Sequence, residues 1–166
     1  VAEDLGTIDE GVRTLLTRLG FPGMKVLLFA FDGNPENPYL PHAYPENCVC
    51  YTGTHDNDTV AGYAASLTPE EFILFRSRVA GALEAAGIMV PLKEDGKSFC
   101  DGFMHLALAS EAKLAVLPIQ DVLGLSNEAR MNRPGTCGGN WRFRLECAPS
   151  ARAMKKLKKA ICKYRR

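Results

Sequence analysis

Apolar positions along this chain follow two different spacings. Val12, Leu15, Leu16 and Leu19 recur at helical intervals, which predicts an amphipathic helix through VRTLLTRLGF, residues 12–21. Thr7 and Glu10 ahead of it fit a T-x-x-E capping box, and Gly20 suits the left-handed stop that ends many helices. The run MKVLLFAF, 24–31, is continuously apolar and has the length of a buried strand. CVCYTG (48–53) and KLAVLPI (113–119) carry the same signature. Helical spacing returns in LTPEEFILFRSRVAGALEAAG, 67–87, where Thr68 caps and Pro69 occupies the first helical position. DGFMHLALASEA (101–112) and the basic SARAMKKLKKAICKYRR (150–166) read as two further helices. The opening VAEDLG reads as the tail of a strand already under way.

The polar intervals are as informative. Residues 32–47 and 120–140 are rich in Gly, Asn and Pro and predict long loops, which in compact domains are often functional. Polar clusters fall just after the predicted strands: Glu3-Asp4, the 32–42 loop, 53–59 and 120–121. Buried strands separated by helices and loops indicate an α/β fold with parallel strands. In a (β/α)8 barrel the carboxyl ends of the strands form the active-site face. Only about four strands are legible, and such a barrel takes about 250 residues. The 166 residues, with no initiator Met, therefore read as an incomplete domain, the C-terminal portion of a barrel whose upstream half is absent.

Composition adds exclusions. The chain is 46% hydrophobic and 23% charged with a net charge of +1, which is ordinary globular composition with no global attraction to nucleic acid or acidic substrates. No apolar run reaches the roughly 18 residues of a membrane span, and no signal peptide is recognisable. The cysteines at 48, 50, 100, 137, 147 and 162 include no C-x-x-C pair, so they read as free, buried thiols of a reducing cytoplasm.

Two motifs carry the chemistry. In AEDLG, neighbouring strand residues face opposite ways, so one of Glu3 and Asp4 enters a site while the other binds backbone or a basic group; a plain helix-leading acidic pair gives the same letters. In YTGTHDNDT, 51–59, Asp56 offers two acceptor oxygens and His55 one donor and one acceptor. That set suits paired sugar hydroxyls. It equally suits an Asx-rich turn bonding its own backbone, and it is a poor metal chelate without further ligands.

AEDLG, PGMKVLLFAF, NPYLPH, YTGTHDNDT, LPIQDVLGL, ARMNRPGT and GNWRFRL occur in this order. Together they resemble amylomaltase, the 4-α-glucanotransferase family also called disproportionating enzyme, over residues 1 to about 147. The resemblance implies a (β/α)8 barrel that cuts and re-forms α-1,4-glucosidic bonds with retention, a chemistry run by two carboxyls about 5 Å apart. It makes Glu3 the general acid/base and Asp56 a third carboxylate that grips the distorted sugar in the transition state, with His55 on hydroxyls of the same ring. It puts Asn132, Phe29 and Gln120 at the substrate; turn, core and supporting roles are the alternatives for the three. The nucleophile of the family lies in an Arg-x-Asp motif on the strand before AEDLG, which these residues do not include, so the chain alone is expected to be inactive. Asp121 matches a different block. The implied partners are α-1,4-glucans, maltooligosaccharides and the N-terminal half of the same barrel, with no metal, cofactor, nucleic acid or membrane.

Some positions read differently. Trp141, Phe143 and Leu145 alternate and predict packing. Arg130 and Arg142 read as partners of carboxylates. Tyr63 stands where the family commonly has Trp, which removes an outer sugar contact. The rival functions are an α-amylase-like hydrolase, a non-catalytic glucan-binding fragment with open sheet edges prone to pairing, and a tail that binds nucleic acid or anionic membrane; an outer barrel helix explains the tail as well.

Overall fold

The structure, a computed structural model, describes residues 1–6 and 8–166. Thr7, half of the expected capping box, lies outside them. Helix α1 spans Glu10–Leu19. Glu10 is therefore its first residue, not its third, and Asp9 caps it by accepting from the Val12 N–H at 2.9 Å. Gly20 ends it at φ 64° as expected.

Three short strands form one parallel sheet in the order β1 (Gly23–Val26), β2 (Cys48–Tyr51), β3 (Leu114–Val116). Gly23 pairs with Cys48 and Val49 with Leu114. Each strand is shorter than its apolar run. After Val26 the chain coils into a 3₁₀ turn, Leu27–Phe29. A run buried on all sides looks the same in either conformation. KLAVLPI stops early because Pro118 has no N–H for a ladder, and the short helix α5, Ile119–Leu123, begins at once.

The opening segment is not a strand. Ala2 donates to the Pro22 carbonyl at 2.9 Å, but Pro22 has no N–H to return the bond. Instead Asp4 Oδ1 accepts from the Met24 N–H at 2.6 Å, the place a neighbouring carbonyl would take. A Cβ on Gly23 would lie 2.4 Å from the Asp4 carboxylate, so only glycine admits this contact.

Helix α2, Val60–Ser66, was not legible; its Gly and Ser hide the spacing. Helix α3, Pro69–Ala85, carries the expected capping box between Thr68 and Glu71. Helix α4, Gly96–Ala109, starts ahead of the expected 101 because Asp95 caps it, accepting from Ser98 N–H at 2.7 Å. Its Phe99, Phe103 and Leu106 are fully buried with Val26, Leu27, Val60 and Val79. Phe75 of α3 stacks on Phe99 at 5.2 Å. Tyr63 meets Phe75 edge-on at 5.3 Å and packs against this core.

The last helix, α6 (Ala151–Lys163), lays Leu157 and Ile161 against Met104 and Leu108 of α4 and pairs Lys156 with Asp101. Arg166 then donates to the Leu108, Ser110 and Ala112 carbonyls. The tail is thus a packed helix with a basic outer face. Cys48, Cys50 and Cys100 are buried, and burial pushes the Cys50 and Cys100 thiols up to about 12. Cys137, Cys147 and Cys162 are exposed, contrary to the buried reading. Among the described residues no helix is long and apolar enough to cross a membrane.

Candidate active site

A cleft of ≈ 940 Å³ opens beyond the carboxyl ends of β1 and β2. Glu3, Phe29, Tyr39, Tyr51, His55 and Asp56 line it. The acidic pair of AEDLG divides, although its segment is not a strand: Asp4 is tied to β1, and Glu3 reaches the cleft, its Oε1 accepting from the Leu5 N–H at 2.6 Å. Phe29 stands partly exposed at the end of the 3₁₀ turn and meets Tyr39 edge-on at 5.3 Å. Asn37 fixes it, donating to the Phe29 carbonyl at 2.7 Å. The cleft thus combines aromatic rings and carboxylates in one lining.

The loop 53–59 folds partly on itself. Asn57 Oδ1 accepts from both the N–H and the hydroxyl of Thr54 at 2.8 Å. Thr59 caps α2, accepting from Gly62 N–H at 3.0 Å. So the Asx-turn alternative is true of Thr54 and Asn57, and it leaves the side chains of His55 and Asp56 for other work. His55 Nε2 lies 3.3 Å from Asp56 Oδ1.

What holds this loop comes from far along the chain. Asn132 Nδ2 donates to Asp56 Oδ1 at 2.6 Å, and its N–H to the His55 carbonyl at 3.0 Å. Arg130 forks over three groups: it pairs with Asp58, donates to the Asp56 carbonyl at 2.6 Å and to the Asn132 carbonyl at 2.7 Å. Arg130 does pair with a carboxylate, as its setting predicts. Arg142 forms no ion pair among the described residues. Gln120 is buried, donates to the Ala129 carbonyl at 3.2 Å and lines a smaller cavity of ≈ 140 Å³ behind the loop. It braces the 127–132 segment; the larger cleft is lined by other residues.

Asp121 is the second brace. Its carboxylate accepts from the Thr52 hydroxyl at 2.5 Å and from the Val60 N–H at 2.9 Å, so it grips both ends of the 53–59 loop. Burial raises its pKa above the ordinary carboxylate value. Charge at this site therefore costs stability at neutral pH, while the two hydrogen bonds contribute it. Asp121→Ala should lower stability by about 2–4 kcal/mol, because two buried donors lose their acceptor. Asp121→Asn should cost far less, since its oxygen can accept from Val60 N–H and its amide can donate to Thr52. Denaturant unfolding of the two variants checks this, and equal losses would show that the bonds are not what matters.

Trp141 departs from the packing expectation. Its backbone is left-handed, φ 63°, which breaks the extended alternation. Trp141 and Leu145 are exposed. The Trp141 ring lies 5.1 Å from the His55 imidazole, tilted by 34°.

A parallel α/β frame with carboxylates, an imidazole and aromatic rings gathered beyond its strand ends defines a class, that of α/β proteins whose site lies at the carboxyl edge of a parallel sheet. The particular family follows from kinship: the chain belongs to glycoside hydrolase family 77, the 4-alpha-glucanotransferases, which matches residues 1–149. The 4-alpha-glucanotransferase of Thermus thermophilus is 50% identical over 147 residues, 87% of this chain and 28% of that protein. The chloroplastic/amyloplastic enzyme DPE1 of Arabidopsis thaliana is 43% identical over 150 residues, 90% of this chain and 24% of its own length. Among solved structures, the amylomaltase from Streptococcus agalactiae in complex with acarbose superposes with a TM-score of 0.84 at 29% identity, covering 99% of this chain and 31% of that one. The chain thus spans 24–31% of the length of these relatives.

Proposed function

We propose that this chain supplies the acid/base and sugar-gripping part of a retaining 4-α-glucanotransferase, as the C-terminal portion of a (β/α)8 barrel. The observation that carries the reading is the shared cleft: Glu3, Asp56 and His55 line one cavity with Phe29 and Tyr39. Glu3 protonates the leaving glycosidic oxygen and later takes the proton of the acceptor hydroxyl. Asp56, held by Asn132, grips hydroxyls of the distorted ring as oxocarbenium character develops. His55 binds the same ring, Asn132 orients Asp56 and can reach the acceptor, and Phe29 offers an apolar face to a glucose.

The covalent step needs a second carboxylate, and these 166 residues contain no Arg-x-Asp motif. The nucleophile is assigned to an upstream strand completing the barrel beside β1, the natural partner of this chain. The free buried thiols fit a reducing compartment such as the cytoplasm.

The test uses a full-length polypeptide, meaning this chain within a polypeptide as long as its relatives, given maltotriose. Glucose plus oligosaccharides longer than the substrate are expected. Glucose and maltose alone would make it a hydrolase, and no turnover would leave a glucan-binding role. The 166 residues alone should give no transfer; measurable disproportionation by them would overturn the assignment of the nucleophile.

A further inference from the structure

The sole tryptophan of the chain sits in an unusual conformation for a bulky side chain. Among the described residues only Trp141 and Arg165 have a positive φ without being glycine. The left-handed region crowds the Cβ of any L-residue and persists where surrounding contacts over-determine it. Here they do. The Trp141 N–H donates to the Met131 carbonyl at 2.6 Å, and its own carbonyl accepts from Arg144 at 3.0 Å. Just before it, Asn140 closes the 133–140 loop: its Oδ1 accepts from Arg133 N–H at 2.9 Å and its amide donates to the Thr136 hydroxyl at 3.0 Å.

This machinery does not bury the indole. Trp141 remains 52% exposed, against the His55 ring at 5.1 Å. A tryptophan placed for stability would turn its large apolar surface into a core. This one is held outward, beside the imidazole of the sugar-gripping loop, with one face on His55 and the rest open.

We infer that Trp141 is a binding platform for a pyranose ring of the glucan, adjacent to the ring held by His55 and Asp56. The chemistry fits. One face of a glucose ring presents C–H groups that pack on an aromatic plane, and the indole N–H is a donor for a hydroxyl. The inference rests on the proposed function and deepens it by adding a subsite. The loop also joins the subsite to Asp56 directly, because Met131, whose carbonyl holds Trp141, lies between Arg130 and Asn132.

The experiment is a ladder of ligands on the full-length polypeptide with Glu3→Gln, so that nothing is turned over. Affinities for maltotriose, maltopentaose and maltoheptaose are measured by titration calorimetry, alongside melting temperatures. In the Glu3→Gln parent affinity should rise with chain length. Trp141→Ala should flatten that rise and weaken maltoheptaose by roughly tenfold, the worth of one good aromatic contact. Trp141→Phe should recover most of it, with melting unchanged in both. A ladder unaffected by Trp141→Ala overturns the inference and leaves the proposed function standing. A loss equal in both variants and accompanied by a lower melting temperature also overturns it, because it marks a structural role. Absence of any glucan binding in the parent overturns the proposed function and the platform together.

Discussion

Glu3→Gln in the full-length polypeptide should lower the transfer rate on maltotriose by roughly 10²–10⁴-fold, the range in which general acid/base groups act. The substitution is nearly isosteric, and its amide oxygen can still accept from the Leu5 N–H as Glu3 does at 2.6 Å. The fold should therefore be unchanged and the loss chemical. What disappears is a proton at the glycosidic oxygen in the first step and a base for the acceptor hydroxyl in the second. Each can be bypassed. α-Glucosyl fluoride leaves as fluoride without protonation, and azide attacks without a base. With both together, the Glu3→Gln variant should form α-glucosyl azide at a rate far closer to that of the parent. If the variant is as slow with fluoride and azide as with maltotriose, Glu3 is not the acid/base. Asp56→Asn gives the contrasting pattern. It still offers an acceptor to Asn132, yet neither fluoride nor azide should rescue it if, as proposed, it holds the sugar and does not move a proton.

The two polar motifs were legible because their signals are local, whereas the roles of Glu3 and Asp56 are what the family resemblance implies. A carboxylate pair after an extended segment, and a dense polar stretch after a buried strand, can be read within a few residues. The caps of α3 and the left-handed Gly20 were legible for the same reason. Strand lengths were not. A continuous apolar run predicts burial but not conformation: Leu27 and Leu28 are buried in a 3₁₀ turn, while Leu114 and Val116 of β3 stay exposed. Helix α2 escaped because glycine at position 62 interrupts its pattern, and only the fold shows why glycine is there: a Cβ would meet the Asn127 side chain at 2.0 Å. Arg130 and Asp121 illustrate the deeper limit. Both were visible as charged residues, but their work is on a loop more than sixty positions earlier in the chain, and periodicity carries no information across such a distance. Alternation fails at Trp141 because the backbone of its segment turns left-handed at that first residue.

Arg130→Ala is the second large effect, and it separates stability from positioning. The Arg130 side chain is 16% exposed and its Asp58 partner 23%. Removing the guanidinium strands a mostly buried carboxylate, a loss of roughly 3 kcal/mol in stability. It also frees the Asp56 and Asn132 carbonyls, which Arg130 holds at 2.6 and 2.7 Å. Asp56 would then be aimed by Asn132 and His55 alone, without the fork that ties its backbone to that of Asn132. A misplacement of about 1 Å at a reacting ring costs on the order of 10²-fold in rate. Two further variants divide these effects. Arg130→Lys restores a cation to Asp58 but cannot fork over two carbonyls, so stability should largely return while kcat stays low and KM changes little. Arg130→Ala with Asp58→Ala removes the stranded charge, so unfolding free energy should recover in part and kcat not at all. Should the lysine variant recover activity in step with stability, the fork to the Asp56 backbone has no role in catalysis and Arg130 is a stabilising ion pair alone. The expected split follows from the geometry: the charge on Arg130 is answered by Asp58, and its shape is answered by the loop that presents Asp56.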